Sequence, residues 1–299
     1  MDELLRATHE AEREHFWYRG FRLFVEPFLA QATKGMSHPR ILDCGCGTGA
    51  NLPALEKHGV AVGFDLTWTG VTYAAAAGHR RIACATAARA PFPDDSFDVA
   101  TSFDVLYCLE DAVERAAIAE MYRLVRPGGA IVVNVPTMDI LAANHSFFVG
   151  ERRRYSRAQL RSALKLAGFQ IVRITHTNAS IFLPMLAVRL WQRARRVGTT
   201  TPVKSDFTMP PAPLNGLLSL LLAAEASVLR LMDLPIGSSI LCLARKPAAE
   251  RRPFPSRPNH RPVSPSSFLR ITTAAPSQVW SLPPWPRRAS SRRIMKSSW

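Results

Sequence analysis

The feature that most restricts what this chain can become lies at residues 41–49, where an apolar run enters Asp43-Cys44-Gly45-Cys46-Gly47-Thr48-Gly49. Glycines at three alternate positions let the backbone turn tightly and approach a ligand closely, and a helix starting just beyond would aim its free N–H groups at the same place. A strand, glycine loop and helix in this order point to an α/β fold with the loop at the carboxyl end of a parallel strand. The spacing differs from the dinucleotide fingerprint G-x-G-x-x-G, whose third glycine falls one place later; Ala50 stands there, a residue that pattern tolerates. A second strand at 60–64 leads into Asp65, where a carboxylate can accept hydrogen bonds from both hydroxyls of a ribose. The competing use of Asp65 is as a cap for the next helix.

The rest of the chain to about residue 247 alternates strands with helices. Strands are expected at 39–44, 60–64, 81–85, 97–103, 130–135, 169–176 and 239–244, and helices at 51–58, 112–125 and 157–167, with helical segments between 2 and 33. Arg126-Pro127-Gly128-Gly129 reads as a turn that stops one helix and opens the strand at 130. The expected fold is a Rossmann-like, mostly parallel sheet with helices on both faces.

The net charge of +15 would indicate a nucleic-acid partner if it were spread over the domain. It is concentrated instead: residues 250–299 hold ten Lys/Arg against one acid, with nine prolines and ten serines. That composition cannot bury a core, so a disordered basic tail is expected over 248–299, behind a helical segment at 1–36 and a main domain at 37–247. The tail is a solvated extension, an arm for nucleic acid or anionic lipid, or a late addition to the gene. The five cysteines include one close pair, Cys44 and Cys46, and no second pair to complete a zinc site, so they read as reduced thiols. Met-Asp-Glu-Leu-Leu-Arg lacks the basic start and apolar run of a secretory signal, and a cytoplasmic location is expected.

Between 181 and 234 two apolar stretches, 181–191 and 214–232, flank a basic, Pro-rich connector. Pro210, Pro211 and Pro213 interrupt the uncharged run at 207–224, leaving about eleven apolar helical positions where a span needs about 20. A mostly buried helix is therefore expected at 214–232, packed on the domain or on a partner. The alternatives are a peripheral membrane contact through 181–234 and a lid over an apolar substrate.

Three motifs in order give this sequence a family likeness: Leu42 to Gly49, Pro91-Phe92-Pro93-Asp94-Asp95-Ser96-Phe97-Asp98, and Val125-Arg126-Pro127-Gly128-Gly129. Together they resemble the class I S-adenosyl-L-methionine (SAM)-dependent methyltransferases, in the small-molecule branch with L-D-x-G-C-G-T-G, P-F-P-D-x-S-F-D and L-R-P-G-G. The likeness extends from about residue 10 to 246 through His15-Phe16-Trp17-Tyr18, Arg152-Arg153-Arg154-Tyr155-Ser156 and Leu234-Pro235-Ile236-Gly237, which look like bacterial members of the methyltransferase-11-like group. The resemblance implies a seven-stranded sheet with its last strand antiparallel, and SAM across the carboxyl ends of the first strands. It implies that Gly45, Cys46 and Gly47 line the methionine and ribose, that Asp43 holds the loop or the ammonium, and that Asp65 holds the ribose. Phe103 would offer its backbone carbonyl to the ammonium and Arg22 would pair with the carboxylate, while Gly49, Leu66 and Ala87 complete the cofactor set. Where relatives carry an acid for the adenine amine, this chain has Thr86, whose hydroxyl makes a neutral hydrogen bond about half as strong as a charge-assisted one.

Methyl transfer is an in-line displacement that depends mainly on alignment. If the acceptor is a hydroxyl, His145, just past the fifth strand, is the candidate general base, against a surface or loop-packing role. Tyr107 and Tyr155 would shape the pocket, and Arg152-Arg153-Arg154 would either bind an acidic substrate group or form a solvated face. The expected activity is methyl transfer to a small-molecule or lipid-like acceptor, with no metal. A nucleic-acid methyltransferase is disfavoured, because Phe103-Asp104-Val105-Leu106 lacks an N-P-P-Y type motif and the aromatic stacking a flipped base would want. The third reading is a SAM-binding scaffold without catalysis.

Overall fold

The computed structural model describes residues 9, 11–138, 151–194 and 209–248. Strand β1 (Arg40–Cys44) is buried from Ile41 onward, and β4 (Phe97–Phe103) is buried at every position but Asp98. Strands that shed water on both faces belong in the middle of a covered parallel sheet. With β2 (Val60–Asp65), β3 (Ile82–Cys84), β5 (Val125–Pro136), β6 (Gln170–Thr177) and β7 (Ser239–Arg245) they form one seven-stranded sheet in the order β3-β2-β1-β4-β5-β7-β6. Only β7 is reversed: it slots between β5 and β6 and pairs antiparallel with both. The expected mostly parallel, Rossmann-like sheet with a reversed last strand is therefore the fold. All five cysteines are free thiols.

Alternate side chains feed two cores, as the period of two along a strand requires. Leu42, Ala100, Ile131, Val133 and Cys242 face one way, onto Ile118, Met121 and Leu124 of α4 (Asp111–Leu124) and Leu160 and Leu164 of α5 (Arg157–Leu166). Ile41, Val99, Val132, Leu241 and Leu243 face the other way, onto Phe24, Phe28 and Leu29 of α1 (Phe16–Ala32). Local chemistry sets the helix ends. His15 Nδ1 accepts from Trp17 N at the start of α1, Ser156 and Gln159 form a reciprocal capping box on α5, and α4 opens with Asp111 and Glu114 and closes with Arg123, matching its dipole.

Around the first glycine loop, α2 (Leu52–Glu56) follows β1, and α3 (Trp68–Ala76) follows β2. No helix is expected from the sequence at α3, where Gly70 and β-branched Thr67, Val71 and Thr72 lower the helix propensity. Tertiary packing overrides that preference: a Cβ at Gly70 would lie 2.9 Å from the Gly47 carbonyl oxygen, so only glycine lets α3 lie against the loop. The Arg126–Gly129 turn is a bulge within β5, since Phe97 pairs with Val125 and Val99 with Ala130, with Gly128 at φ +81°.

The apolar region departs most from expectation. Helix α6 (Ala179–Ala194) and helix α7 (Ala212–Leu229) follow β6. At 18 residues α7 is long and apolar enough to cross a membrane by length and composition, contrary to the expectation that it is too short. Nor is it mostly buried. Leu222, Glu225, Ala226 and Leu229 pack into the α1 core, whereas Leu217, Leu220 and Leu221 are exposed. Asn215 fixes its start to α1 by accepting from Phe16 N at 2.8 Å and donating to Glu14 O at 2.8 Å. The proline-interrupted sequence obscured the length, because Pro213 sits in the first turn, where a proline costs a helix nothing.

Candidate cofactor site

The glycine loop is held open by backbone geometry that side chains would spoil. Gly45, Gly47 and Gly49 have φ of +82°, +52° and +81°. A Cβ at Gly45 would stand 2.4 Å from Val105 Cγ2, and one at Gly63 would stand 2.8 Å from Cys46 Sγ. Gly45 N and Cys46 N both donate to Phe64 O, at 2.8 and 2.9 Å, which hooks the loop over the end of β2. The loop therefore lies between the ends of β2 and β4, at the carboxyl edge where open α/β sheets bind their ligands.

Two acids anchor it. Asp65 Oδ2 accepts from Gly47 N at 2.8 Å, and Oδ1 accepts from Thr67 N at 2.8 Å and Thr67 Oγ1 at 2.6 Å. The second pair of contacts is an Asx-type turn that leads into α3, so the capping reading and the ligand reading share one side chain. A carboxylate offers about four lone-pair sites, and these three donors leave it acceptor capacity for a hydroxyl. Asp43 is buried, with Oδ1 accepting from Thr101 Oγ1 at 2.7 Å. Burial pushes its carboxyl up to about 7, assisted by the charge of Asp65 and opposed by the Thr101 hydrogen bond. An acid in that state would regain its charge beside a cation.

The amino-terminal segment reaches the same place. Arg22 of α1, half-buried, donates through Nη2 to Glu12 O at 2.9 Å. Glu12 in turn accepts a short hydrogen bond from Thr48 Oγ1 in the loop, and desolvation raises its pKa. The structure thus brings together Asp43, Gly45, Cys46, Gly47, Gly49, Asp65 and Arg22. Phe103 ends β4 with its ring edge-on to Phe21 at 5.1 Å. Along the β2–β3 margin, Leu66 and Thr86 are exposed and Ala87 half-buried; the Thr86 hydroxyl accepts weakly from Ala88 N at 3.4 Å. His145 lies outside the described residues.

Sequence reasoning missed two of the polar groups here. Glu12 gave no signal, because nothing in its neighbourhood marks one acid among many. Asp104 follows Phe103 directly and holds a left-handed backbone at φ +57°, which aspartate adopts more readily than most residues. Its Oδ1 accepts from Asn134 Nδ2 on β5 at 2.9 Å, and its N–H donates to Asn134 O at 3.1 Å. Asp104 is exposed at the end of β4; desolvation pushes its carboxyl up to about 7, with the Asn134 hydrogen bond opposing. Its place at the end of β4 is the signal that could have found it, by the same reasoning that singled out Phe103.

The other charged candidates are committed to the fold. Arg152 pairs with Glu110 at 2.8 Å, Arg153 with Asp111 at 2.6 Å and with Glu114, and Arg154 with Glu151 at 2.5 Å. Arg153 ties this segment to the start of α4, while Arg152, in an exposed pair, stays on a solvated face. Tyr155 is buried and donates its hydroxyl to Glu114. No cluster of three metal-ligating side chains occurs among the described residues.

A seven-stranded sheet with a reversed β7, a glycine cradle after β1 and an acid ending β2 define a class I, Rossmann-like methyltransferase fold. Residues 42–133 match the family model Methyltransf_11, described as a methyltransferase domain. A Bacillus subtilis protein provisionally named a 23S rRNA (guanine-N(1)-)-methyltransferase is 32% identical over 149 residues, which cover 44% of this chain and 50% of that one. A Mycobacterium marinum demethylmenaquinone methyltransferase is 38% identical over 101 residues, covering 31% of this chain and 40% of that one. The chain thus spans half or less of the length of these relatives. A Bacillus halodurans structure provisionally named a methyltransferase shares the fold, with a TM-score of 0.51, 17% identity, and coverage of 75% of this chain and 99% of that chain. SAM is the cofactor that such a domain implies. The residues present suit it: a loop with no room for a Cβ at Gly45, a carboxylate with acceptor capacity at the end of β2, and Arg22 linked to the loop through Glu12.

Proposed function

We propose that this chain transfers the methyl group of SAM to a small-molecule or lipid-like acceptor. The observation that carries the reading is the loop itself, three left-handed glycines at the carboxyl edge of the sheet, with Gly45 N bound to Phe64 O and Gly47 N to Asp65. When bound, SAM would supply an activated methyl on a sulfonium, whose leaving thioether needs no proton. The remaining work of the site is binding and alignment. Asp65 would accept from the ribose hydroxyls, Asp43 would balance the ammonium, and Arg22 would balance the carboxylate. Phe103 would contribute its backbone carbonyl, and Thr86, Ala87 and Leu66 would border the adenine. Asp104, at the open end of β4, would take the proton of a protic acceptor, a task suited to a carboxyl near neutrality; His145 is a second candidate for it.

Calorimetry with SAM and S-adenosylhomocysteine is the first test, followed by transfer of labelled methyl from SAM to phenolic and quinol acceptors. Binding of both ligands with label in a small acceptor is the expected result. Label in 23S rRNA alone would favour the nucleic-acid reading that the name of the Bacillus subtilis relative raises. Absence of binding to either ligand would falsify the enzyme reading, and binding without turnover on any pool would leave a scaffold.

A further inference from the structure

Helix α7 presents an apolar stripe to solvent on the side away from α1. At 100° per residue, Leu214, Leu217, Leu220, Leu221 and Val228 fall within an arc of about 120°, and every one of them is exposed, Leu217 at 63% and Leu220 at 71%; Leu231, in the turn that follows, is exposed at 89%. No charged residue interrupts it. The one charge in Ala212–Leu229 is Glu225, which is buried on the docked side and accepts from Ala179 N at 2.9 Å and from Ser180 N at 2.8 Å, so that it caps α6. Helix α6 packs beside α7 and adds exposed Leu183, Val188 and Trp191. A contiguous apolar surface of this kind is seldom left to water in a soluble protein.

We infer that the outer face of α6 and α7 docks the protein on an anionic lipid bilayer, lying in the interface without crossing it. Two observations select this occupant. The sequence between α6 and α7 is basic: Arg195, Arg196 and Lys204 stand against the single acid Asp206. Apolar side chains, an exposed tryptophan and a connecting sequence rich in bases match a membrane surface carrying negative headgroups. The other side of α7 rules out a span. Asn215 and Glu225 are hydrogen-bonded to α1 and α6, and drawing the helix into hydrocarbon would strip those bonds from buried polar groups.

This docking surface is separate from the methyl-transfer reading and does not depend on it. It can be tested with the full chain and with Leu217→Asp/Leu220→Asp, both at exposed positions. In flotation with vesicles of phosphatidylglycerol and phosphatidylcholine, the parent should bind, pure phosphatidylcholine should bind several-fold less, and the double variant should lose at least tenfold in affinity with its thermal midpoint unchanged. Parent protein that stays vesicle-free at low salt overturns the inference. So does binding that survives in the double variant, because the attachment would then reside in another basic part of the chain. Sedimentation supplies a further arm: a dimer that Leu217→Asp/Leu220→Asp converts to monomer would make this face an interface between copies and overturn the membrane assignment.

Discussion

The glycine-loop edge of the sheet and the outer side of α7 are opposite exceptions to the usual partition of polar and apolar groups. At the loop, Asp43 is sealed among apolar strands with its carboxyl pushed up to about 7. On α7, leucines stand in water while the only carboxylate, Glu225, is inside. A buried acid costs free energy unless it is paired, and an exposed leucine forgoes about 25 cal/mol for each Å² left wet. Each region thus gives up folding stability, and each does so where a partner of the complementary kind would recover it, cationic at the loop and apolar at the helix.

The comparison breaks first at Gly45. Gly45→Ala forces a Cβ into Val105 at a left-handed backbone position, and the combined strain and overpacking should cost up to about 5 kcal/mol and abolish SAM binding. Urea denaturation and calorimetry measure the two effects, and Val105→Ala added to the variant should restore part of the stability. Full stability with normal SAM binding in Gly45→Ala alone would show that the loop is not the tight cradle described.

Asp43 sharpens the loop side through pH. Its folded pKa, about 7, lies above its ordinary value of 3.8, so between these values the folded state keeps a proton that the unfolded chain has released. Unfolding free energy should therefore fall as pH rises from about 4 to about 7 and level off above, by up to about 4 kcal/mol for a shift of this size. Asp43→Asn, which can still accept from Thr101, should flatten that slope and be the more stable protein at pH 8. A slope unchanged in the variant would assign the pH dependence to other groups.

On the helix side, Glu225→Ala strips the cap from α6 and should cost about 2–3 kcal/mol, read as a lower urea midpoint, where Leu217→Asp costs nothing measurable. Asp65→Asn keeps one acceptor oxygen but loses the charge, and SAM affinity should fall about 10- to 100-fold by calorimetry. The smallest effect is expected at Thr86, where Thr86→Asp should tighten SAM about three- to fivefold by replacing a neutral acceptor with a charged one. No gain there would place the adenine amine elsewhere.

Much of this molecule was legible beforehand because its signals are local. Six of the seven strands lie close to where their apolar runs put them, and β5 is the exception because its bulge adds residues that pair without looking like a strand. The loop residues could be named because glycine at alternate positions has few other uses. Helix α3 was illegible for the converse reason: its helicity is imposed by the contact of Gly70 with Gly47, and propensity carries no record of that contact.

The sequence by itself determined the alternation of elements, the cradle after β1 and the acid at the end of β2, since each rests on residues a few positions apart. Only the tertiary structure decided what lies beside what across the chain. It placed Glu12 on Thr48, set Asp104 against Asn134, and spent Arg152 and Arg153 on acids at the start of α4 and Arg154 on Glu151 and the Thr137 carbonyl. It also turned one side of α7 outward. Helical periodicity shows which residues share a face, but whether that face meets protein or water depends on which elements arrive beside it, and only the folded chain contains that information.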